Sequence, residues 1–272
     1  MKLPCAKREP IIQTLRDELS ANALLIPDSG FQPLVLLESR GKGKAPKVIG
    51  DLSSYLVSDN FTFSDDEIEV DEISQISGEE TRSIKYQIGL TLLNGFLSGF
   101  KGLGVPDLKF SLKSANTFKY KFKNVERKRI DLGKLGKKLK EVQIDPDNPA
   151  AARFFVEDAE HPLVVDSIIT SNNFIMTMDS DNSSSLEAEI DALVVEVGTA
   201  KAGYEAKKTS KSTVSFLGPH SIPFAFSCVE LSIDASGKVK NLTSKMMRDV
   251  NGNDQEELIQ IDLAGEDEWL LS

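Results

Sequence analysis

The chain has 272 residues, of which 40% are hydrophobic and 27% are charged, proportions typical of a globular protein with ample material for a core. No run of eighteen apolar residues occurs, which excludes a membrane-spanning helix, and the first residues lack the apolar segment of a secretory signal. The 2 cysteines lie far apart and predict no disulfide framework. We therefore expect the intact chain to be cytoplasmic.

The net charge of −10 is distributed unevenly along the chain. Residues 249–272 contain eight acidic residues and no Lys or Arg, whereas residues 119–140 contain ten basic residues and two acidic ones. Each basic residue near an anionic membrane contributes about 1 kcal/mol to binding. The basic centre therefore fits an anionic surface or, equally, a solvated charged face.

The N-terminal part predicts short elements. Apolar residues at positions 11, 12, 15 and 19 predict an amphipathic helix over residues 10–21. Residues 34–37 are apolar throughout, which favours a buried strand, and residues 40–47 have the composition of a basic loop. Residues 61–76 combine alternating apolar residues with a dense acidic run.

The clearest pattern lies in residues 82–130, where apolar and polar residues alternate along two segments, 84–92 and 108–122. In the second segment Phe118, Tyr120 and Phe122 alternate with lysines. Alternation of this kind predicts a sheet with one apolar and one polar face. A membrane-spanning strand needs about 9–11 residues, and both segments are long enough. An ordinary half-buried hairpin has the same pattern.

The rest of the chain predicts one helix and a second strand-rich half. Residues 131–142 place leucines on one side and lysines on the other, which favours an amphipathic helix. After a Pro-containing break at 145–149, strands are expected at 163–170, 174–178, 186–197, 204–215 and 222–233, followed by a polar linker over 238–253. The pattern predicts an α+β fold with a mostly antiparallel sheet.

No pattern in the sequence indicates catalysis. His161 and His220 are the only histidines, and neither has metal-ligand spacing. Nucleophile elbows, phosphate loops and dinucleotide fingerprints do not occur. We expect neither an enzyme nor a metal or other cofactor.

The acidic C-terminal segment carries apolar residues that would need a groove to lie in: Leu258, Ile259, Ile261, Leu263, Trp269, Leu270 and Leu271. A tethered peptide rebinds its groove at an effective concentration near mM and is lost by dilution once it is cut. The segment therefore fits a removable inhibitory peptide, and it also fits a terminal element that merely completes the fold.

Several stretches together resemble the gasdermins, and the bacterial members in particular. They are residues 25–30 (LIPDSG), Gly50-Asp51-Leu52, the amphipathic region 83–132 and residues 222–233 (IPFAFSCVELSI). The resemblance covers residues 6–240, and its strength is the order and spacing of the stretches.

This resemblance implies a twisted, mostly antiparallel central sheet with flanking helices, held inactive by a C-terminal peptide. It divides the chain into a pore-forming domain at 1–245 and an autoinhibitory peptide at 246–272. Proteolysis would release the body to form a large homo-oligomeric β-barrel pore in the inner membrane, causing cell death as an antiphage defence. The family also implies palmitoylation of Cys5, beside the first helix.

The same interpretation assigns partners and site residues. Membrane lipids and an activating protease, caspase-like or trypsin-like, are the expected partners, and no nucleic acid is expected. Met247, Arg248 and Asp249 form the candidate cleavage region. The expected lipid-binding residues are Lys119, Lys121, Lys123, Arg127, Lys128, Arg129, Lys137 and Lys138. The membrane strands would come from 84–92, 108–122, 163–178 and 186–215. The alternative is a carrier of apolar ligands, or a scaffold, without pore activity.

Overall fold

A computed structural model describes residues 10–24, 30–39, 46–58, 61–81, 116–156, 161–182 and 205–245, with residues 184, 185, 187, 188, 190, 191 and 194. Within these residues nine strands form one sheet: β1 (Asn22–Ala23), β2 (Val35–Glu38), β3 (Lys47–Asp51), β4 (Ile68–Thr81), β5 (Thr117–Ile130), β6 (Leu163–Asp179), β7 (Glu205–Ser210), β8 (Thr213–Ile233) and β9 (Val239–Lys245). The helices with defined bounds are α1 (Pro10–Asp17), α2 (Leu132–Leu139) and three 3-10 helices, Leu52–Tyr55, Asp65–Glu67 and Ala152–Phe154.

Four long strands form the body of the sheet in the order β4, β5, β6, β8, each antiparallel to its neighbours. They contain 14, 14, 17 and 21 residues. The β2–β3 hairpin pairs with the start of β6, and β1, β7 and β9 pair with the outer edge of β8. This architecture confirms the predicted α+β fold with a mostly antiparallel sheet.

The long strands are interrupted at one level, which divides the sheet into two halves. In β5, Asn124 has a φ of 51°, a conformation that Asn tolerates better than most residues, and its side-chain amide donates to Asn172 of β6 at 2.9 Å. As β6 advances from Ser171 to Asn173, its partner in β8 changes from Ile222 to Leu217. We call the part containing 75–81, 117–123, 173–179, 205–210 and 213–217 the upper half, and the remaining part the lower half.

Around β6, the lower half is buried on both faces. Val164 packs on one face with Leu135 and Leu139 of α2. Its neighbour Val165 points to the other face, where Phe31 and Phe226 meet edge to face with their centroids 5.4 Å apart. Because successive residues of a strand point to opposite sides, two separate cores hold this half of the sheet in place.

Helix α2 confirms that residues 131–142 contain a helix, but this helix ends earlier than predicted, at Leu139. The carboxylate of Asp131 accepts a hydrogen bond from the backbone N–H of Lys134 at 2.8 Å, which caps the helix. Such a cap contributes about 0.5–2 kcal/mol. Leu135 and Leu139 then face the core, while Lys134 and Lys137 face solvent.

Helix α1 is shorter than the predicted residues 10–21. It ends at Asp17, and Ser20 has a φ of 50°, which the helical interior does not allow. The backbone N–H of Ala21 donates instead to the carbonyl of Leu15 at 2.8 Å, so the chain turns towards β1. No helix in the described part of the chain is both long and apolar enough to cross a bilayer.

Candidate functional site

One side of the upper half is lined by aromatic rings, and we call it the aromatic face. The ring of Phe122 stacks on that of Phe224, which belongs to the adjoining lower half, with centroids 4.1 Å apart, and the centroid of Phe122 lies 4.8 Å from that of Phe174. Phe174 lies 6.3 Å from Phe216. All four rings are almost completely buried. Aromatic pairs of this kind add about 0.5–1.5 kcal/mol each to the contribution of buried area. The face joins β5, β6 and β8 into one apolar surface.

The opposite side of the upper half, which we call the polar face, carries Lys119, Lys121 and Lys123 of β5. These lysines alternate with buried Tyr120 and Phe122, so the predicted alternation is confirmed over residues 119–122 as a strand with two unlike faces. Directly paired residues form rows across the strands. The row through Lys121 consists of Ser77, Lys121, Ile175, Ser215 and Lys207.

Helical residues lie on the aromatic face, where a strand over 186–197 was predicted. Positions 184, 185, 187, 188, 190, 191 and 194 are helical, so that prediction is wrong for this conformation. Ile190 is completely buried. Lys208 pairs with Val214, which places it on the aromatic face, and there it binds Glu187 at 3.0 Å and Asp191 at 2.7 Å. These ion pairs fasten the helical residues to β7.

The same contacts change the protonation equilibria of the cluster. The hydrogen bonds that the Lys208 ammonium donates to Asp191 and to Glu187, the first having the larger effect, raise the pKa of Lys208. The hydrogen bond from Lys208 lowers the pKa of Glu187. Both shifts favour the charged forms, so the contact is an ion pair at neutral pH. Lys211 adds a longer contact to Glu187 at 3.6 Å.

The five basic residues of the lower half that were predicted to contact lipid are mostly engaged within the chain. Arg129 binds Glu69 at 3.1 Å and Asp71 at 3.0 Å across the β4–β5 pair. Lys138 of α2 binds Glu67 at 2.8 Å, and this hydrogen bond lowers the pKa of Glu67 to about 2. These two cations therefore stabilise the junction of β4, β5 and α2.

Arg127 belongs to a partly buried polar cluster beneath the end of α1. Its Nε donates to the Ser167 hydroxyl at 3.2 Å, and its Nη1 donates to the carbonyl of Leu19 at 3.3 Å. The Ser227 hydroxyl lies 2.6 Å from that of Ser167 and donates to Asp166 at 3.0 Å. Burial raises the pKa of Asp166, and the Ser227 hydrogen bond and Arg127 oppose that effect. No sequence pattern indicated this cluster, because its members lie on three separate strands.

Lys128 and Lys137 are the members of the predicted group in the lower half that make neither an ion pair nor a side-chain hydrogen bond with another described residue. Lys137 is exposed on α2 and Lys128 is partly exposed on β5. Sequence reasoning treated all eight basic residues as one surface. The structure separates them into three on the polar face, three with internal partners, and these two.

The predicted polar linker over 238–253 begins instead with a strand. β9 pairs with β8 from Val239 to Lys245. The preceding turn is fixed by Asp234, whose carboxylate accepts the backbone N–H groups of Ser236 and Lys238. Gly237 has a φ of 82°, and a Cβ there would lie 1.9 Å from the carbonyl oxygen of Ile144. A protease therefore meets a paired strand up to Lys245.

Several predicted features lie outside the described residues. They are Cys5, the segments 84–92 and 108–115, Met247, Arg248 and Asp249, and the seven apolar residues of 258–271. The division into 1–245 and 246–272 also stays a prediction.

Comparison with known sequences and structures finds gasdermins. The model of the bacterial gasdermin family matches residues 24–238. A gasdermin from Vitiosangium sp. is 26% identical over 226 residues, which cover 83% of this chain and 82% of that protein. A gasdermin from a Desulfuromonadales bacterium is 25% identical over 230 residues, which cover 84% and 83%. A solved bacterial gasdermin from Bradyrhizobium tropiciagri shares the fold with a TM-score of 0.53 at 14% identity, over 86% of this chain and 91% of that one.

Proposed function

Because the chain belongs to the bacterial gasdermin family, we propose that it is a latent pore-forming protein. Cleavage of the segment 246–272 releases the body, which oligomerises in the inner membrane into a large β-barrel and kills the cell as an antiphage defence. The intact chain is cytoplasmic and has no enzymatic role. Its partners are membrane lipids, copies of itself and an activating protease.

The observation that supports this proposal best is the pairing of an aromatic face with a polar face in the upper half. A transmembrane barrel needs strands whose alternate residues face lipid and lumen. Phe122 and Phe174 are suited to face lipid, and Lys121 is suited to face the lumen. A lysine turned towards lipid costs about 2–4 kcal/mol at the bilayer midplane. This cost fixes the orientation: aromatic rings towards lipid, lysines towards the lumen.

This orientation changes the role proposed for the basic residues. Lys119, Lys121 and Lys123 line the lumen and do not contact lipid headgroups. Lys128 and Lys137, which lack internal ion pairs in the described part of the chain, remain available to anionic lipid. A palmitate on Cys5, a few residues before α1 in the sequence, would add an anchor, since one acyl chain together with a basic patch gives stable attachment.

Insertion requires the helical residues on the aromatic face to leave it. Glu187 and Asp191 are held there by Lys208, and Ile190 is buried. A segment that occupies the lipid-facing side must move before lipid can contact the rings. The alternating sequence of residues 186–197 allows that segment to form a strand once it is displaced.

The extent of β9 narrows the proposed cleavage region. A strand that is hydrogen-bonded to its neighbour resists proteolysis more than an irregular segment. Since β9 ends at Lys245, we propose a cut after this residue and keep Met247, Arg248 and Asp249 as candidates. An acidic residue before the cut fits a caspase-like protease, and a basic one fits a trypsin-like protease.

Dye release from anionic liposomes tests the proposal. The full chain receives the recognition sequence of a site-specific protease directly after Lys245 and is mixed with dye-filled vesicles. We expect no release before cleavage and rapid release after it. The matched control carries a scrambled recognition sequence that the protease cannot cut. If the cleaved chain stays monomeric and the vesicles stay sealed, the proposal is wrong and the carrier interpretation takes its place.

A further inference from the structure

We infer that the pore conducts anions in preference to cations, and that Lys121 is the main determinant of this selectivity. The inference rests on the proposed function and adds to it the class of ion that crosses. It depends on the order of charges along the polar face.

The row through Lys121 differs from the neighbouring rows in its charge. Ser77, Lys121, Ile175, Ser215 and Lys207 are directly paired from strand to strand, so their side chains share one level and one face. The row contains two lysines and no carboxylate.

In the described part of the chain, the other rows of the polar face contain at most one lysine each. Lys119 is paired with Glu79 of β4. The row through Lys123 ends at Glu205 of β7, through Asn173 and Leu217. Asp179 stands opposite Thr117 at the end of β6. Positive charge therefore concentrates at the level of Lys121.

The faces are maintained when a strand enters a barrel in the same register, because the side-chain period of a strand is two. Turning Lys121 outwards would turn Tyr120 and Phe122 into water at the same time. The strand therefore keeps its lysines on the lumen side. Each copy contributes one such row, and closure of the oligomer joins the rows into a ring of lysines.

Rings of lysine or arginine side chains favour anions in pores, as rings of carboxylates favour cations. In a wide lumen the effect depends on salt. The Debye length is roughly 8 Å at physiological ionic strength and roughly 30 Å at 0.01 M. Selectivity should therefore be clear at low salt and weak at physiological salt.

The test is the reversal potential of the pore in a planar anionic bilayer under a KCl gradient, near 0.01 M salt. The full chain with the protease sequence after Lys245 is cleaved in place. We expect a reversal potential of the sign given by chloride permeation. Lys121→Glu should shift it to the potassium side, and Lys121→Gln should bring it towards zero. If Lys121→Glu prevents assembly of the pore, the reversal potential of the Lys121→Gln pore decides the test.

Lys238→Glu is the matched control. It makes the same change in charge at an exposed position of the β8–β9 turn, outside the polar face, and should leave the reversal potential unchanged. Pores that prefer potassium, or that respond equally to the substitutions at positions 121 and 238, would overturn the inference and leave the proposed function intact. A cleaved wild-type chain that opens no conductance would overturn both.

Discussion

The same strands run through both halves of the sheet, but the two halves differ in how their faces are covered. In the lower half, Val164 and Val165 are consecutive and both completely buried, because a core lies on each side. In the upper half, Phe122 is buried but its neighbour Lys121 is partly exposed. A sheet with a core on both sides can serve only as a scaffold, whereas a sheet with one apolar and one polar face can exchange its cover for lipid. In the proposed function, the upper half is therefore the part that changes its surroundings.

The largest effect is expected at the aromatic face. Phe122→Ala removes the stacking on Phe224 and the tilted contact with Phe174 and leaves a cavity, and we expect the free energy of unfolding to fall by about 3–5 kcal/mol. Lys121→Ala, one residue away on the polar face, should change it by no more than about 0.5 kcal/mol. Urea unfolding of the two variants checks the difference. Equal losses would mean that the upper half is buried on both faces, as the lower half is.

In the lower half, truncation of either of two neighbouring buried residues should lower the free energy of unfolding equally. Val164→Ala and Val165→Ala each delete two buried methyl groups, and each should lower the free energy of unfolding by about 2 kcal/mol. The same urea titration measures both. A loss at only one of the two positions would contradict the assignment of a core to each side.

Helix α2 forms part of one of the two cores of the lower half. Its N-cap should contribute less to the free energy of unfolding than the core residues do. Asp131→Ala removes the acceptor for the Lys134 backbone N–H and should cost about 1 kcal/mol. Asp131→Asn, which keeps a capping oxygen, is the control and should retain most of the stability. The measurement is again chemical unfolding, read by circular dichroism. An equal loss in both variants would assign the effect to charge and not to the cap.

The smallest expected effect is a dependence of the free energy of unfolding on pH, which arises at the β4–α2 junction. The hydrogen bond from Lys138 lowers the pKa of Glu67 from 4.5 to about 2. A depressed carboxyl pKa contributes stability that is fully present above the unfolded value and is lost as the pH falls from about 4.5 through about 2. An NMR titration of the Glu67 carboxyl should show the lowered pKa, and Lys138→Met should return it towards 4.5. A normal pKa in the wild-type chain would exclude this ion pair from the junction.

Local patterns predicted those elements in which one periodicity dominates. The lysines and aromatics of residues 118–123 fit only a strand, and the leucines and lysines of α2 fit only a helix; both were found. Residues 186–197 satisfy two periods, since Leu186, Ile190 and Val194 also recur at intervals of four. The helical form is consistent with the contacts of Lys208 with Glu187 and Asp191, which no local pattern reveals.

Features that depend on pairing between distant strands escaped prediction. β9 contains only Val239 and Leu242 as apolar residues, three apart, and it becomes a strand because the outer edge of β8 is there to pair with it. The cluster around Asp166 and the break at Asn124 likewise need β5, β6 and β8 to be side by side. The eight basic residues fall into separate groups because of the strand register, which cannot be derived from amino-acid composition.

The persistence of the two faces in the membrane can be measured most directly by fluorescence at two adjacent positions. Single cysteines replace Tyr120 and Lys121 in a chain whose two native cysteines are changed to serine, and each is labelled with an environment-sensitive probe. After cleavage beside liposomes, the probe at position 120 should be quenched by a lipid-borne quencher and the probe at 121 by aqueous iodide. Probes that both remain in water, or that both enter lipid, would contradict a strand with one face towards the bilayer and one towards the lumen.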